Sequence, residues 1–73
     1  MGKSKFAIIL KELRNERNLG QVELAKGIGV SSGVISLWEN GEREPTLSNL
    51  IALADYFDVA LDDLVGRNGG IIN

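Results

Sequence analysis

The 73-residue chain contains no cysteine and no histidine. Without cysteine it forms neither disulfides nor thiolate metal sites, and without histidine it lacks the commonest general base and metal ligand. No apolar run approaches the roughly 20 residues that a membrane-spanning helix requires, and the amino terminus does not resemble a signal peptide. The sequence also offers no nucleophile–base pair and no phosphate-cradling loop. We therefore expect a cytoplasmic, non-enzymatic protein without metal, cofactor, small-molecule site or membrane contact.

Charged residues are distributed unevenly along the chain, although the net charge is only −2. Residues 1–36 carry six basic and three acidic side chains, whereas residues 37–73 carry two basic and seven acidic ones. Such an asymmetric molecule can present a basic side to phosphates and keep its acids on the opposite side. We interpret the carboxyl-terminal acids as a solvated back face, which comprises Asp55, Asp58, Asp62 and Asp63.

Apolar residues recur at helical spacing in five segments, and no segment alternates as a strand does. The predicted helices, with their caps, span about residues 5–17, 21–27, 31–40, 46–58 and 61–65. Ser4, Ser31 and Thr46 suit amino-terminal caps, whereas Asn40 and Gly66 lie where helices end. Gly20 and Ala60 stand where better caps are usual, so two helix starts are weaker. The expected buried stripe of the fourth helix is Leu47, Leu50, Ile51, Ala54 and Phe57.

The most informative segment is residues 21–40, QVELAKGIGVSSGVISLWEN. Ala25 is small enough for two helices to approach closely, and Gly29 can adopt positive φ where the chain must turn. Ile35 and Trp38 are three residues apart and therefore lie on one face of the second helix, where we assign Trp38 to the core. The pattern is typical of a helix-turn-helix, which holds one helix out toward a DNA major groove.

The ordered set of motifs resembles the lambda-repressor/Cro-like, or XRE-type, helix-turn-helix family over about residues 6–65. The matching segments are LKELRNERNL, ELAKGIGVS, VISLWENGEREP and TLSNLIALADYFDVALDDLV. The resemblance implies a compact all-α, five-helix domain in residues 1–66, followed by a flexible tail or linker in residues 67–73. It also implies a nucleoid-associated transcriptional regulator that binds double-stranded operator DNA as a homodimer and represses by occupying the operator.

The resemblance further assigns roles to individual residues. Positions at or beside the base edges are Ser32, Gly33, Ser36 and Leu37. Phosphate contacts are expected from Gln21, Asn40 and Arg43, and an Arg14–Glu39 ion pair supports the recognition helix. Ser31 is first a cap and second a phosphate contact, and Lys26 is either a solvated lysine or a phosphate contact.

The chain departs from the family at three base-edge positions. Family members often place Arg, Gln, Lys or Thr where Ser32, Gly33 and Leu37 stand here. None of these three makes the bidentate contacts that discriminate guanine or adenine, although Leu37 can pack on a thymine methyl. An exposed leucine also needs no function at all. We therefore expect indirect readout of DNA shape to contribute more of the specificity.

Two further expectations concern protein contacts. Leu61, Leu64 and Val65, together with Ile71 and Ile72 of the tail, are apolar residues available for a dimer contact. The alternative function is a protein-interaction module or antitoxin-type component, in which the third helix packs on a protein partner through Val34 and Leu37.

Overall fold

Five helices account for the regular structure of the computed structural model, which describes residues 4–67. They are α1 (Lys5–Glu16), α2 (Gln21–Ile28), α3 (Ser32–Glu39), α4 (Leu47–Phe57) and α5 (Leu61–Val65). The predicted all-α, five-helix architecture is confirmed. Of the predicted tail, only Arg67 falls among the described residues, and Ile71 and Ile72 lie outside them. In the described part of the chain, no helix has the length and apolarity needed to cross a membrane.

Each well-capped helix begins where a hydroxyl satisfies a backbone N–H group. The side chains of Ser4, Ser31 and Thr46 each accept a 3.2 Å hydrogen bond from the backbone N–H three residues further on. Gly20 and Ala60 precede α2 and α5 without any side-chain cap. The sequence therefore predicted both the strong and the weak helix starts, because capping depends on local residue chemistry.

Three helices end at a residue in the left-handed conformation. Gly29 has φ 77°, Gly66 has φ 83° and Asp58 has φ 57°. The two glycines differ in their surroundings. A Cβ at Gly29 would have no neighbour within 4 Å, whereas a Cβ at Gly66 would lie 2.7 Å from the Cβ of Lys5. Gly66 is thus required both for the backbone turn and for the close contact between the end of α5 and the start of α1.

The core lies where all five helices meet, and Trp38 of α3 and Phe57 of α4 are the largest fully buried side chains. Arg17 covers the edge of this core, since its Nη2 donates a 2.7 Å hydrogen bond to the Phe57 carbonyl. The other buried apolar residues are Phe6, Ala7, Leu10, Leu24, Ala25, Ile35, Leu53, Ala54 and Leu64. Because Trp38 and Ile35 lie in this core, one side of α3 is held tightly and the other side faces outward.

The predicted buried stripe of α4 was partly wrong. Leu47 is 67% exposed and Ile51 is 44% exposed, whereas Leu53 is fully buried. Both possible stripes obey helical spacing, because α4 carries apolar residues on nearly all sides. The helix therefore packs through the neighbouring stripe, which comprises Leu50, Leu53, Ala54 and Phe57.

The assignment of Leu64 to a dimer contact was also wrong. Leu64 is fully buried and belongs to the core cluster of the single chain. Helix α5 has only five residues, and Leu64 is the one whose side chain is buried against the rest of the domain. Leu61 remains 40% exposed and Val65 is half-buried, so these two residues stay accessible to a partner.

Candidate nucleic-acid interface

Helices α2 and α3 form a helix-turn-helix whose turn closes on one carbonyl group. The backbone N–H groups of Gly29 and Val30 both donate to the Ala25 carbonyl, at 2.9 and 3.0 Å. Ala25 itself is only 3% exposed, at the place where the two helices pack together. The left-handed conformation of Gly29 then redirects the chain into the cap of α3. The angle between the two helices is therefore determined by a small residue and a glycine at the predicted positions.

The outward side of α3 carries a stripe of four residues at helical spacing: Gly33, Ser36, Leu37 and Asn40. Gly33 and Asn40 are exposed, whereas Ser36 and Leu37 are half-buried. Ser32 lies beside this outward stripe in the first turn of α3 and is also half-buried. The structure thus brings the four predicted base-edge residues to one continuous part of the α3 surface. The opposite side of the same helix is buried in the core.

A buried hydrogen-bond network connects α3 to α1 and α2. Glu39, which is 3% exposed, accepts hydrogen bonds from Arg14 Nε at 2.7 Å and Arg14 Nη2 at 3.0 Å. The side-chain amide of Gln21 donates to the same oxygen as Arg14 Nη2, with Nε2 3.1 Å from Glu39 Oε1. Arg14 Nη1 also donates to the Leu19 carbonyl at 2.7 Å. One carboxylate therefore links the end of α3 to two other helices.

Charge in this network is balanced internally. The hydrogen bonding of the Arg14 guanidinium to the Glu39 carboxylate raises the pKa of Arg14 above its usual value. Burial opposes this effect, and the attraction between the two charges adds to it. Within residues 4–67, every buried side-chain nitrogen or oxygen has a hydrogen-bond partner. Because Glu39 is the charged residue of α3 and is paired with Arg14, the helix presents an uncharged outward surface.

The five predicted phosphate-contacting residues lie on α2, at the two ends of α3 and in the loop that follows it. Lys26, Ser31, Asn40 and Arg43 are exposed, and Gln21 is half-buried at the first residue of α2. Gln21 uses one amide N–H on Glu39, and its NH₂ group has a second N–H to donate. Gly20 offers no side chain to cap the first turn of α2, so the backbone N–H groups inside that turn have no side-chain acceptor, whereas the N–H of Gly20 itself donates to Glu23.

Acidic residues reduce the positive potential of this surface. Glu42 and Glu44 flank Arg43 in the exposed loop after α3. Arg14 is paired with Glu39, and Arg17 lies 5.3 Å from the Phe57 ring centroid. The basic half of the sequence therefore directs part of its charge to intramolecular contacts. The cations left exposed in the helix-turn-helix and the loop after it are Lys26 and Arg43.

Two contacts near the helix-turn-helix were missed in the sequence. The Glu23 carboxylate accepts a 2.7 Å hydrogen bond from the Gly20 backbone N–H, and a glutamate three residues after a cap is the signal that could have revealed it. Gly27 lies directly against the Tyr56 ring, so a Cβ there would overlap the ring. No local sequence pattern predicts the contact between Gly27 and Tyr56, because Tyr56 belongs to α4 and is distant in the sequence.

Comparison with known proteins places this geometry in a family. A family model described as helix-turn-helix matches residues 10–64. The transcriptional repressor RstR of cryptic phage CTXphi, from Vibrio cholerae, is 37% identical over 62 residues, covering 81% of this chain and 55% of the relative. The transcriptional regulator AnsR of Bacillus subtilis is 38% identical over 58 residues, covering 80% and 50%. The chain thus spans about half the length of these relatives.

A solved structure has the same arrangement of helices. The P22 c2 repressor, crystallised in complex with a synthetic operator, superposes with a TM-score of 0.80 and 32% sequence identity. The superposition covers 85% of this chain and 94% of the repressor chain. The similarity therefore extends over the five-helix domain as a whole and is not limited to α2 and α3.

Proposed function

This chain belongs to the XRE-type helix-turn-helix family, and on that premise we propose that it binds double-stranded DNA sequence-specifically to regulate transcription, acting as a repressor that occupies an operator. The observation that carries the proposal is the outward stripe of α3, which is exposed on one side of a helix whose other side is buried around Trp38. The relative RstR is a transcriptional repressor, AnsR is a transcriptional regulator, and the P22 c2 repressor was crystallised on its operator.

In the proposed complex, α3 enters the major groove, and Gly33, Ser36 and Leu37 of its outward stripe face the base edges. The start of α2, with Gln21 and its uncapped backbone N–H groups, approaches a phosphate on one side of the groove. Asn40 and Arg43 approach the phosphates on the other side. Since Glu39 is paired with Arg14, its carboxylate adds no unbalanced negative charge near the DNA.

We further propose that two copies bind together. One recognition helix reads only a few base pairs, and a homodimer on a pseudo-palindrome doubles that number with half-sites about 10 bp apart. Leu61 and Val65 lie one turn apart on α5 and remain accessible, so we assign the dimer contact to this part of the surface. Replacing Leu61 with Asp is expected to shift the protein from dimer to monomer in analytical ultracentrifugation. An unchanged sedimentation coefficient would place the contact elsewhere.

The proposed function is tested by selecting bound sequences from a random double-stranded DNA library. We expect enrichment of a two-fold symmetric site. If Lys26 and Arg43 are the two cations of each protomer that neutralise phosphates, the slope of log K against log salt should be about −1.8 per protomer, or about −3.6 for a dimer. Lys26→Ala and Arg43→Ala should each reduce the size of this slope by about 0.9 per protomer.

Lys11→Ala provides a matched control, because Lys11 is an exposed lysine on α1, outside the helix-turn-helix. It should leave the salt slope and the affinity close to those of the unmodified protein. Absence of any enriched site would contradict DNA binding and favour the protein-interaction alternative. Equal effects of Lys11→Ala and Lys26→Ala would contradict the proposed orientation.

A further inference from the structure

The outward stripe of α3 has a restricted chemistry. It contains no charged side chain, and its hydroxyl and amide groups belong to Ser36 and to Asn40 at the helix end. Serine hydroxyls donate or accept and therefore hydrogen-bond to several different base edges. The stripe contains one large apolar side chain, Leu37. In the major groove, the apolar group that distinguishes one base from the others is the C5-methyl of thymine.

Gly33 lies one helical turn before Leu37, and the protein interior does not require it to be glycine. A Cβ at this position would meet only Ser31 Oγ, at 3.9 Å, and the backbone has an ordinary helical conformation. Glycine inside a helix is nevertheless destabilising relative to alanine, and close approach of the backbone to a ligand is one reason to keep it. The absence of a side chain here opens the surface next to the Leu37 side chain.

We propose that Leu37 is the main specificity-determining residue of this domain, contacting the C5-methyl of a thymine that approaches through the space beside Gly33. This inference rests on the proposed function and specifies the DNA that the domain recognises. Each half-site then contains a thymine facing Leu37. Cytosine is rejected there because it lacks the methyl group, and guanine and adenine are rejected because they present polar atoms to an apolar side chain.

The experiment replaces individual thymines of the selected site by uracil, which removes one methyl group and leaves base pairing unchanged. Burial of one methyl group corresponds to about a fourfold change in affinity, so one thymine per half-site should show a loss of about fourfold with uracil. The protein with Leu37→Ala should bind the thymine and uracil sites equally. The protein with Ile8→Ala, which truncates an exposed aliphatic side chain on α1, should keep the full uracil penalty.

Gly33→Ala tests the open space separately. We expect this variant to unfold at a higher temperature than the unmodified protein, because alanine favours the helix, and yet to bind the site more weakly. Unchanged affinity and an unchanged uracil penalty in Gly33→Ala would overturn the role of the space beside Gly33. A uracil penalty that persists in Leu37→Ala would overturn the role of Leu37.

Different results would contradict the inference about Leu37 and the proposed function on which it rests. If a selected site is bound with the same affinity after every thymine has been replaced in turn, this inference is wrong and the proposed function stands. If the library yields no bound duplex, the proposed function itself is wrong. The uracil comparison uses the unmodified protein, so it does not depend on the folding of any variant.

Discussion

Replacing Glu39 with glutamine removes one buried charge from the network that holds α3 while leaving the side-chain shape unchanged. In the native protein the carboxylate accepts two hydrogen bonds from Arg14 and one from Gln21. The glutamine amide keeps one acceptor oxygen, but its NH₂ group then faces N–H donors of Arg14 or Gln21 whose hydrogen bonds a carboxylate oxygen would have accepted. Arg14 then retains its bond to the Leu19 carbonyl but loses the negative charge that balances it.

The expected loss of unfolding free energy is about 2–4 kcal/mol. Breaking a buried pair by removing one partner costs about 3–5 kcal/mol, and the acceptor that glutamine retains brings the loss toward the lower end. A domain of this size is expected to have about 4–11 kcal/mol in total, so the variant keeps only part of its stability. The midpoint of thermal unfolding should fall by about 10–25 °C.

The double variant Arg14→Met with Glu39→Met separates the cost of an unpaired charge from the net contribution of the pair. Apolar side chains of similar length require no charge partner, so the double variant should lie within about 1 kcal/mol of the native protein. Urea unfolding is followed by circular dichroism for Arg14→Met, for Glu39→Met and for the double variant. The three losses of unfolding free energy give the coupling energy between the two side chains directly. Additive losses in the double variant would refute the reasoning, because they would mean that neither charge is costly when left alone.

Four further single substitutions, one of them also combined with a second change, test the packing and the caps. Gly29→Ala should lower the free energy of unfolding by about 1–2 kcal/mol, because of the positive φ alone. Gly66→Ala should cost about 1–3 kcal/mol more, because its methyl group also overlaps a side chain of α1. Equal losses of the two variants in urea unfolding would contradict the packing argument. Ala60→Ser should stabilise the protein by about 1 kcal/mol by capping α5, and an unchanged thermal midpoint would contradict this. Gly27→Ala should destabilise the protein by about 1–3 kcal/mol, because the new methyl group overlaps the Tyr56 ring. Combining it with Tyr56→Leu should recover part of the lost stability. If no stability is recovered, the ring is not the cause.

The positions of the helices could be predicted from the sequence because their signals are local. A hydroxyl such as that of Ser31 caps whichever helix follows it, and a glycine such as Gly29 adopts positive φ at little cost wherever it stands. Both effects involve residues a few positions apart, so no knowledge of the tertiary structure was needed. The outward side of α3 followed in the same way, once Ile35 and Trp38 had been assigned to the core.

The rotation of α4 and the burial of Leu64 could not be predicted because they depend on contacts between distant segments. Leu47 and Leu53 are equally apolar, and helical spacing is satisfied by either of the two stripes to which they belong. The choice is made by the helices packed against α4, through contacts such as the one between Gly27 and Tyr56. Leu64 is buried for a similar reason: Leu61, Leu64 and Val65 are all apolar, and the way α5 packs on the rest of the chain determines that Leu64 is the one enclosed.

The candidate site was predictable in its positions and less so in its charge. The spacing from Gly33 to Leu37 placed both on one side of α3, and the structure agrees. The basic half of the sequence suggested a more positive surface than the folded chain presents. Arg14 is paired with Glu39, and Arg17 caps the end of α4, so neither acts as an unengaged surface cation. The Arg14–Glu39 pair was predicted from the family resemblance and is present in the structure. The contact of Arg17 with the end of α4 was not predicted, because it joins residues 40 positions apart and has no local signal.

The weak positive potential beside α3 has a consequence for the proposed regulator. Under the proposed function, Lys26 and Arg43 are the cations assigned to phosphates, and the neighbouring Glu42 and Glu44 oppose the charge of Arg43. A single copy should therefore bind non-cognate DNA poorly, since that affinity grows with the number of phosphates neutralised. The contacts proposed for Leu37 are also individually small. Specific binding then requires two copies acting together, because each half-site alone contributes too little, and occupancy of the operator should rise steeply with protein concentration and depend only moderately on salt.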